Sequence, residues 1–387
     1  MPTCPTKIPA NWHIYHPRAG PSTSPSPVPY REGKQKMLQV CESDSPDFHA
    51  SPSQRVAITI HNVLSMTMSP VLDVAIPTGH GSSVRCVLKL YDRRFGTSLR
   101  DDYCYHYVPH TQAKEAAFQA FVRQGGMPAF LHGLNVADEA QDVPPLPRRF
   151  LDGTSEGGAK YEAAVWRQCN EHFKCETEAY RRLGDLQGKS IPRTLAAVRL
   201  VADKSENNTP KDIPQEGASY FEVWGILLER ISGYNLEDLT TSPEAPPVGD
   251  LARWQQIIQS TVNLTHDINQ RGVIMRDCAP RNVVVDRHSQ KPRIIDFAQC
   301  RFRDKMVRSW HEWGWHEEDE TWDPDVEYWE QVDAAGNPRA TGAPMVQRVQ
   351  KAAGVRLPVT YPDCSSIIAG LRHKKAAERR RAVPNHK

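Results

Sequence analysis

The sequence predicts an α+β fold of two lobes, with a sheet and one long helix first and a mostly helical part after them. Apolar and alternating runs of strand length crowd the first 230 residues around a single long helical segment. After residue 250 a helical period dominates, and two short β-branched runs, the size of a small hairpin, interrupt it. Elements that segregate in this way favour two lobes over a repeated βα unit.

Each predicted element has a local signature that justifies it. Helices are predicted where apolar residues recur every three or four positions, at 161–186 and 251–271. Gly272 marks the end of the second helix, because glycine readily adopts the left-handed conformation that follows a helix. Strands are predicted where β-branched and aliphatic residues alternate or run together, at 55–60, 71–76, 84–91, 195–201, 221–229, 283–285 and 293–295.

Composition argues against several classes of protein. The 387 residues are 39% hydrophobic and 24% charged, which supplies apolar material for a sizeable core. Basic and acidic residues nearly cancel, 48 against 46, whereas a protein that acts mainly on nucleic acid is usually more basic. The sequence shows neither an apolar run long enough for a membrane span nor a signal-peptide pattern. Nine cysteines without C-x-x-C spacing fit a reducing compartment, so we expect an intracellular, cytoplasmic protein without a membrane partner.

Stretches of biased composition divide the chain. Residues 1–54 are predicted to be a disordered, Pro/Ser-rich lead-in, because ten of the 31 prolines lie in the first 55 residues. The last sixteen residues, 372–387, hold seven Lys or Arg and are expected to form a basic tail, disordered or helical. This tail leaves a nuclear or nucleic-acid role open, although a solvated terminal helix explains it more simply. Three further weak zones are expected at about 134–160, 203–217 and 240–249.

The most informative segment follows the second predicted helix. A loop presents Asp277 and then Asn282 at the start of a strand, and a hairpin would bring Asp296, at the end of the next strand, beside Asn282. One amide and one carboxylate oxygen are ligands that Mg²⁺ accepts when phosphates fill its other positions. A nearby carboxylate can orient or deprotonate an attacking hydroxyl. Singly, each residue is more simply a solvated side chain or a turn, but together they predict a metal and phosphate site.

The same residues resemble the motifs of the protein-kinase-like superfamily. Met275-Arg276-Asp277 with Asn282 is similar to the H-R-D-x-x-x-x-N loop, with Met in place of His. Asp296-Phe297-Ala298 is similar to D-F-G, with Ala in place of Gly. The segment looks most similar to fungal protein-kinase-like proteins, which are related to the aminoglycoside and choline phosphotransferases. The resemblance covers roughly residues 55–305 and is strongest over 222–300.

The resemblance implies a two-lobed protein-kinase-like fold. Residues 55–229 would form an N-lobe with an antiparallel sheet, a C helix and a large insertion at about 95–160. Residues 230–371 would form a reduced, mostly helical C-lobe that is shortened after Asp296. We expect the Trp-rich acidic segment 310–330 to pack back on this C-lobe, because five tryptophans make it too aromatic for a disordered tail.

The resemblance also implies a cation on the third strand, where Lys89 lies between apolar neighbours. A strand lysine is more often solvated, and the imperfect alternation around Lys89 does not say which way it points. In the family this lysine binds the α- and β-phosphates of ATP and pairs with a glutamate of the C helix. At 100° per residue Glu176 lies on the apolar face of the predicted helix and Glu178 lies off it, so Glu176 is the predicted partner. The alternative is that Glu176 only rims the core.

Under this resemblance the chain is an ATP- and Mg²⁺-dependent phosphotransferase. Asn282 and Asp296 would hold Mg²⁺, and Asp277 would orient the hydroxyl of an acceptor, a small alcohol or a protein. Backbone groups between Glu229 and Ile231 would meet the adenine edge. The implied catalytic residues are therefore Lys89, Asp277 and Asn282, and the implied nucleotide contacts are Lys89, Glu176, Glu229, Ile231 and Asp296.

Departures from the family pattern keep a second function open, a pseudokinase that binds nucleotide or acts as a scaffold without turnover. The turn at 65–70 contains no glycine, and 87 residues separate Lys89 from Glu176, far more than protein kinases usually have. No A-P-E follows the D-F-A motif. Cys278 and Cys300 flank the predicted site and suggest a redox role, but unpaired cysteines are commonly small core residues.

Overall fold

The computed structural model describes residues 25–43, 48, 50–79, 82–101, 107–139, 146–201, 213–314 and 322–382. The predicted lead-in up to residue 24, most of the weak zone at 203–217 and the end of the basic tail lie outside these residues. Contacts group the chain into two units. The first unit consists of Met1–Pro29, Arg93–Arg167 and Asn208–Phe221, and the second of Tyr30–Asp92, Gln168–Asn207 and Glu222–Lys387.

The secondary structure is mixed, with strands concentrated before residue 230 and helices after residue 250, as the sequence predicts. The α-helices of the described residues are α1 Gln112–Arg123, α2 Gly126–Glu139, α3 Ser155–Arg182, α4 Leu251–Gln270, α5 Arg303–Glu312, α6 Pro324–Ala335, α7 Asn337–Ala353 and α8 Cys364–Ala382. The strands are β1 Gln35–Glu42, β2 Arg55–Ser65, β3 Val71–Gly79, β4 Ser82–Tyr91, β5 Thr194–Val201, β6 Trp224–Glu229, β7 Gly233–Asn235, β8 Val273–Met275, β9 Val283–Asp286, β10 Pro292–Ile294 and β11 Cys300–Phe302.

The second unit contains a closed antiparallel barrel in the order β1-β2-β3-β4-β6-β5, in which β1 also pairs with β5. Alternate side chains along each strand point into the barrel, so aliphatic residues at every second position fill its interior. Burying them removes their apolar surface from water, which is the main stabilising contribution to a sheet of this kind. The buried aliphatic residues of the barrel include Leu38, Val40, Ile58, Ile60, Leu72, Val74, Leu88 and Val198.

Strand β1 corrects the prediction that residues 1–54 are disordered. The prolines of that segment lie before residue 30 and after residue 45, and the stretch between them contains none. Within β1 the side chains of Lys36, Leu38 and Val40 are buried in alternation, as a strand requires. Leu38 pairs with Val56 on one side and Leu200 on the other, so β1 closes the sheet. The average composition of the segment concealed one ordered strand inside it.

The part of the second unit after β6 contains a helix and a hairpin that the sequence predicts closely. The predicted hairpin at 283–285 and 293–295 is present as β9 and β10, with Val283 opposite Ile294. Helix α4 begins where the side chain of Asp250 accepts a hydrogen bond from the backbone N–H of Arg253 at 3.0 Å. It ends before Gly272, whose φ of +77° is a conformation that glycine adopts without strain. Strands β8 and β11 pair antiparallel and flank the predicted site loop.

The C-terminal helices confirm that the Trp-rich segment packs on the structure before it. Trp310 and Tyr328 are buried against Ile274 of β8, and Trp322 and Trp329 pack around this cluster. The middle of the predicted segment, 315–321, lies outside the described residues. Of the two forms left open for the basic tail, the described part is helical and belongs to α8. There Lys375 pairs with Asp323 at 2.9 Å and Arg372 pairs with Glu330, so the acidic segment already engages part of the tail's basic charge.

The first unit contains α1, α2 and the beginning of α3. Its apolar cluster joins Phe118, Val122, Met127 and Ala163. The predicted insertion at about 95–160 lies within this unit. Its predicted weak zone at about 134–160 is helical at both ends, because it contains the end of α2 and the beginning of α3. No helix in the described part of either unit is long and apolar enough to cross a membrane.

Candidate functional site

Lys89 is buried near the end of β4, and its ammonium lies between two carboxylates. Its Nζ is 2.7 Å from Oε2 of Glu176 and 2.8 Å from Oδ1 of Asp296. The strand sequence alone did not indicate the direction of the side chain. In the structure Lys89 points toward α3, away from the barrel interior that Leu88 and Leu90 help to fill, because successive strand residues face opposite sides. Burial of a charge is costly unless it is paired, and both partners are present.

Glu176 is the residue of α3 that pairs with Lys89, as the helical phase predicts. The carboxylate is fully buried and also accepts hydrogen bonds from the hydroxyl of Tyr91 and from the backbone N–H of Phe297, the latter at 3.3 Å. Glu178 instead pairs with arginines three and four residues further along the same helix. Glu176 therefore lies on the buried, apolar face of α3, and Glu178 lies near the surface.

Asp296 follows β10 in a left-handed backbone conformation, with φ of +69°. This conformation is costly for most residues but is tolerated by Asp, whose side chain can bond to the backbone two residues further on. Oδ1 of Asp296 accepts that bond from the N–H of Ala298 at 3.2 Å and also accepts from Lys89. The strained turn thus aims the carboxylate at the lysine.

The loop between β8 and β9 brings Asp277 and Asn282 together. Nδ2 of Asn282 donates to the carbonyl oxygen of Asp277 at 2.8 Å and to its Oδ2 at 3.2 Å. The guanidinium of Arg281 also contacts the Asp277 carboxylate. The backbone N–H of Ile295 donates to the carbonyl of Asn282 at 2.9 Å, which ties the loop to the residue before Asp296. The predicted hairpin therefore places Asn282 and Asp296 on adjacent backbone.

Asn337, at the start of α7, holds the base of this loop, and sequence reasoning did not single it out. Its Nδ2 donates to the carbonyl of Met275 at 2.7 Å, and its Oδ1 accepts from the Met275 N–H at 3.0 Å and from Nδ2 of Asn269 at 3.1 Å. The Cys278 thiol donates to the Asn337 carbonyl at 3.4 Å. A buried asparagine that pairs both backbone groups of one residue fixes the position of the segment that leads into Asp277.

The charges of the cluster shift one another's pKa. Burial would lower the pKa of Lys89, but the carboxylates of Asp296 and Glu176 outweigh it and raise that pKa above its ordinary value. Burial raises the pKa of Glu176, which Lys89 only partly offsets. The pKa of Asp296 is lowered, because Lys89 outweighs the opposing effect of burial. At neutral pH Lys89 is therefore a fixed positive charge.

His172 is a second residue that the sequence reasoning missed. It lies four residues before Glu176 on α3 and hence on the same helical face, which is the signal that could have identified it. Burial, then the charge of Lys89 and, less strongly, that of Arg276, lower the pKa of His172 to about 4. The imidazole of His172 is therefore uncharged at neutral pH.

The donor set at Asn282 and Asp296 fits a hard divalent cation. Asn282 uses its amide N–H groups on Asp277, and Oδ1 of Asp296 is used by Lys89. Within the described residues neither Oδ1 of Asn282 nor Oδ2 of Asp296 accepts a hydrogen bond, so one amide and one carboxylate oxygen remain as ligands. No group of three or more His, Cys, Asp or Glu side chains suited to a metal occurs among those residues. Such a cation would therefore need phosphate or water for its other positions.

The predicted hinge ends β6. The N–H of Glu229 donates to the Arg193 carbonyl at 2.8 Å, and its carboxylate accepts from Arg193 and, at 3.2 Å, from Arg293. Glu229 is thus tied into the surrounding protein. In the described part of the chain no backbone hydrogen bond involves Ile231, so its N–H and C=O are the available groups of the predicted pair.

No protein-family model matches the chain, and no curated protein matches it.

Proposed function

We propose that the chain is an ATP- and Mg²⁺-dependent phosphotransferase of the protein-kinase-like superfamily, with a two-lobed kinase-like fold. The observation that carries the proposal is the buried Lys89, held between Glu176 at 2.7 Å and Asp296 at 2.8 Å. These residues are far apart in the sequence: Lys89 lies on β4, Glu176 lies on α3, and Asp296 lies in the turn after β10. The motifs in the sequence and this three-residue cluster point to the same activity.

The cluster is hard to explain as a device for stability. Removing the Glu176 carboxylate and the Lys89 ammonium from water costs several kcal/mol per ion, and apolar residues of similar size often stabilise a protein more. With both carboxylates ionised, Glu176 and Asp296 carry one more charge than Lys89 balances, and the isolated cluster has a net negative charge. A bound divalent cation with phosphate groups would place positive charge beside Asp296 and negative charge beside Lys89, so each of these side chains would gain an oppositely charged partner.

The roles of the residues follow from their positions. Lys89, held by Glu176, would bind the α- and β-phosphates of ATP. Asn282 and Asp296 would hold Mg²⁺, which when bound neutralises the charge that develops on the transferred phosphoryl group. Asp277 would orient the acceptor hydroxyl and accept its proton. Catalysis would come from positioning and charge neutralisation rather than from a covalent intermediate.

A pseudokinase is the second candidate, and two observations favour it. The Asp277 carboxylate already contacts Arg281 and the Asn282 amide, and these contacts compete with a role as general base. The glycine-free turn at 65–70 points in the same direction, because a side chain there hinders close approach of backbone N–H groups to phosphate. In this second function the chain would bind Mg·ATP and use it as a structural ligand.

Thermal unfolding with and without Mg·ATP tests both nucleotide functions. A ligand that binds only the native state stabilises it by about 2.7 kcal/mol at a hundredfold excess over its Kd. We expect an upward shift in Tm with Mg·ATP and a smaller one with ATP plus chelator. Lys89→Met should abolish the shift while preserving most of the side-chain volume. The matched control is Lys174→Met, an exposed lysine of the same helix as Glu176, which should retain the full shift.

Turnover separates the two candidates. Incubation with labelled ATP and a pool of small alcohols and proteins should yield a phosphorylated product if the chain is a phosphotransferase. A Tm shift without any product would favour the pseudokinase. No shift at millimolar Mg·ATP would contradict both proposals.

A further inference from the structure

Two cysteines connect α3 to the segment that follows Asp296. Cys175 is the residue directly before Glu176, and Cys300 begins β11, four residues after Asp296. Both are partly buried and both are reduced thiols. The pair therefore links the two elements that supply the carboxylate partners of Lys89.

The two residues are in direct contact. Sγ of Cys175 accepts a hydrogen bond from the backbone N–H of Cys300 at 3.2 Å, and the Cys175 thiol donates one to the Cys300 carbonyl oxygen at 3.4 Å. Because an N–Cα bond is about 1.46 Å long, Sγ of Cys175 lies within about 4.7 Å of the Cα of Cys300. A disulfide requires a Cα–Cα distance of about 4.4–6.8 Å, with the sulfurs about 2.05 Å apart. Sγ of Cys175 already lies against the backbone of Cys300, so closing such a bond would require the two sulfurs to approach by side-chain rotation.

The thiols also differ in acidity. A hydrogen bond from the Cys300 thiol lowers the pKa of Cys175, against the opposing effect of burial. The same hydrogen bond, together with burial, raises the pKa of Cys300. A more acidic thiol beside a less acidic one is the arrangement of an attacking and a resolving cysteine. Cys278, the other cysteine that the sequence placed near the site, differs because burial raises its pKa to about 12.

We propose that Cys175 and Cys300 form a reversible disulfide under peroxide and that this bond regulates the nucleotide site. The Cys175 thiolate would attack a peroxide oxygen, break the O–O bond and become a sulfenic acid, and the hydroxide released would leave as water with the proton that Cys175 lost. The Cys300 thiol would then attack the sulfenic sulfur and form the S–S bond, and its proton would leave with the hydroxyl as a second water. Two thiols are oxidised and one peroxide is reduced to two waters.

The regulatory effect rests on the function proposed above. Mg·ATP binding would exchange the contact between Lys89 and Asp296 for contacts to phosphate and metal. A disulfide would fix the residue before Glu176 to the segment carrying Asp296 and hold both carboxylates on the lysine. The oxidised protein should therefore bind Mg·ATP more weakly, by about threefold or more, because the state competent to bind is less populated.

Peptide mass spectrometry of the full chain, treated with hydrogen peroxide and then alkylated, tests the bond itself. We expect one cross-linked peptide pair containing Cys175 and Cys300, two hydrogens lighter than the reduced pair and restored by a thiol reductant. Cys175→Ser should abolish it. The matched control is Cys41→Ser, a partly buried cysteine on β1, which should leave the cross-link unchanged. Irreversible sulfinic or sulfonic acids at Cys175, or a cross-link to another cysteine, would overturn the proposal.

Isothermal titration with Mg·ATP tests the regulation on the oxidised and reduced forms of one preparation. Weaker binding after oxidation that recovers with reductant, and that is absent in Cys175→Ser, is the expected result. Equal or tighter binding by the oxidised form would overturn the regulatory role. If the reduced protein does not bind Mg·ATP, the proposed function fails and the regulatory role fails with it. The cross-link is scored separately by mass, so the two failures are distinguishable.

Discussion

Replacing Glu176 by glutamine tests the central cluster most directly, and Glu178→Gln on the same helix is its matched control. Both changes remove one negative charge and keep the size of the side chain. Glu176 is fully buried and pairs with Lys89, whereas Glu178 is partly exposed and pairs with arginines of its own helix. The two variants therefore differ in the environment of the lost charge and in little else.

The expected magnitudes follow from burial. Removing one partner of a buried ion pair costs about 3–5 kcal/mol, because it leaves an uncompensated charge. Glu176→Gln should cost about 3 kcal/mol, at the lower end of that range, because Asp296 stays 2.8 Å from the lysine. Glu178→Gln should cost less than about 1 kcal/mol, as for other pairs near the surface.

Thermal unfolding followed by circular dichroism measures the difference. A loss of 1 kcal/mol lowers Tm by about 2 °C for a folding unit of more than 200 residues, so we expect about 6 °C for Glu176→Gln and less than about 2 °C for Glu178→Gln. Equal shifts, or a larger shift for Glu178→Gln, would refute the reasoning. Either result would mean that the cluster at Lys89 is not held by charge pairing.

Three other predictions concern the site. Asp296→Asn should weaken Mg-dependent nucleotide binding, whereas Asp277→Asn should keep nucleotide affinity and reduce turnover by about 10² or more, the scale of a lost general base. Titration with Mg·ATP measures the affinities, and a product assay measures the turnover. Equal loss of nucleotide binding in the two variants would contradict the roles proposed for Asp296 and Asp277. Because the pKa of His172 is lowered to about 4, the folded state resists a proton that the unfolded state takes up near pH 6.5. Stability is therefore lost as pH falls, and His172→Gln should gain about 2 kcal/mol relative to the original protein between pH 7 and pH 5. Urea unfolding at both pH values checks it, and a pH-independent difference would oppose it. Asn337→Ala should lower the free energy of unfolding by about 3 kcal/mol, because it leaves buried backbone groups unpaired. The control Asn263→Ala, on the exposed face of α4, should change it very little. Similar denaturation midpoints for the two variants would exclude the role of Asn337 in holding the loop.

Features that depend on local periodicity could be predicted from the sequence. The choice of Glu176 over Glu178 needed only the rotation of 100° per residue and the apolar face of one helix. The hairpin that carries Asn282 toward Asp296 also has a local signature, two short β-branched runs separated by a turn. In both cases neighbours in the sequence determine which way the side chain points.

Features that depend on distant partners could not be predicted in this way. Asn337 bonds to Met275, and a single asparagine at the start of a helix looks like an ordinary cap. Closure of the barrel requires β1 to pair with β5, and the sequence of neither strand indicates which strand its partner is. Composition also led to the wrong prediction for residues 1–54, because the prolines on both sides of β1 indicated disorder more strongly than its short alternating run indicated a strand.

The closing pair of the barrel has a consequence for folding. Met37 of β1 pairs with Val201 of β5, so β1 leaves the ribosome long before its second partner has been synthesised. Contacts of such long sequence separation form slowly, because the loop between them loses entropy before the contact stabilises it. Until then the outer edges of β1 and β5 are unpaired, and unpaired edges template association with other chains. Deleting the segment before residue 43 would leave the β5 edge and the facing edge of β2 permanently unpaired, and both edges would become sites of aggregation.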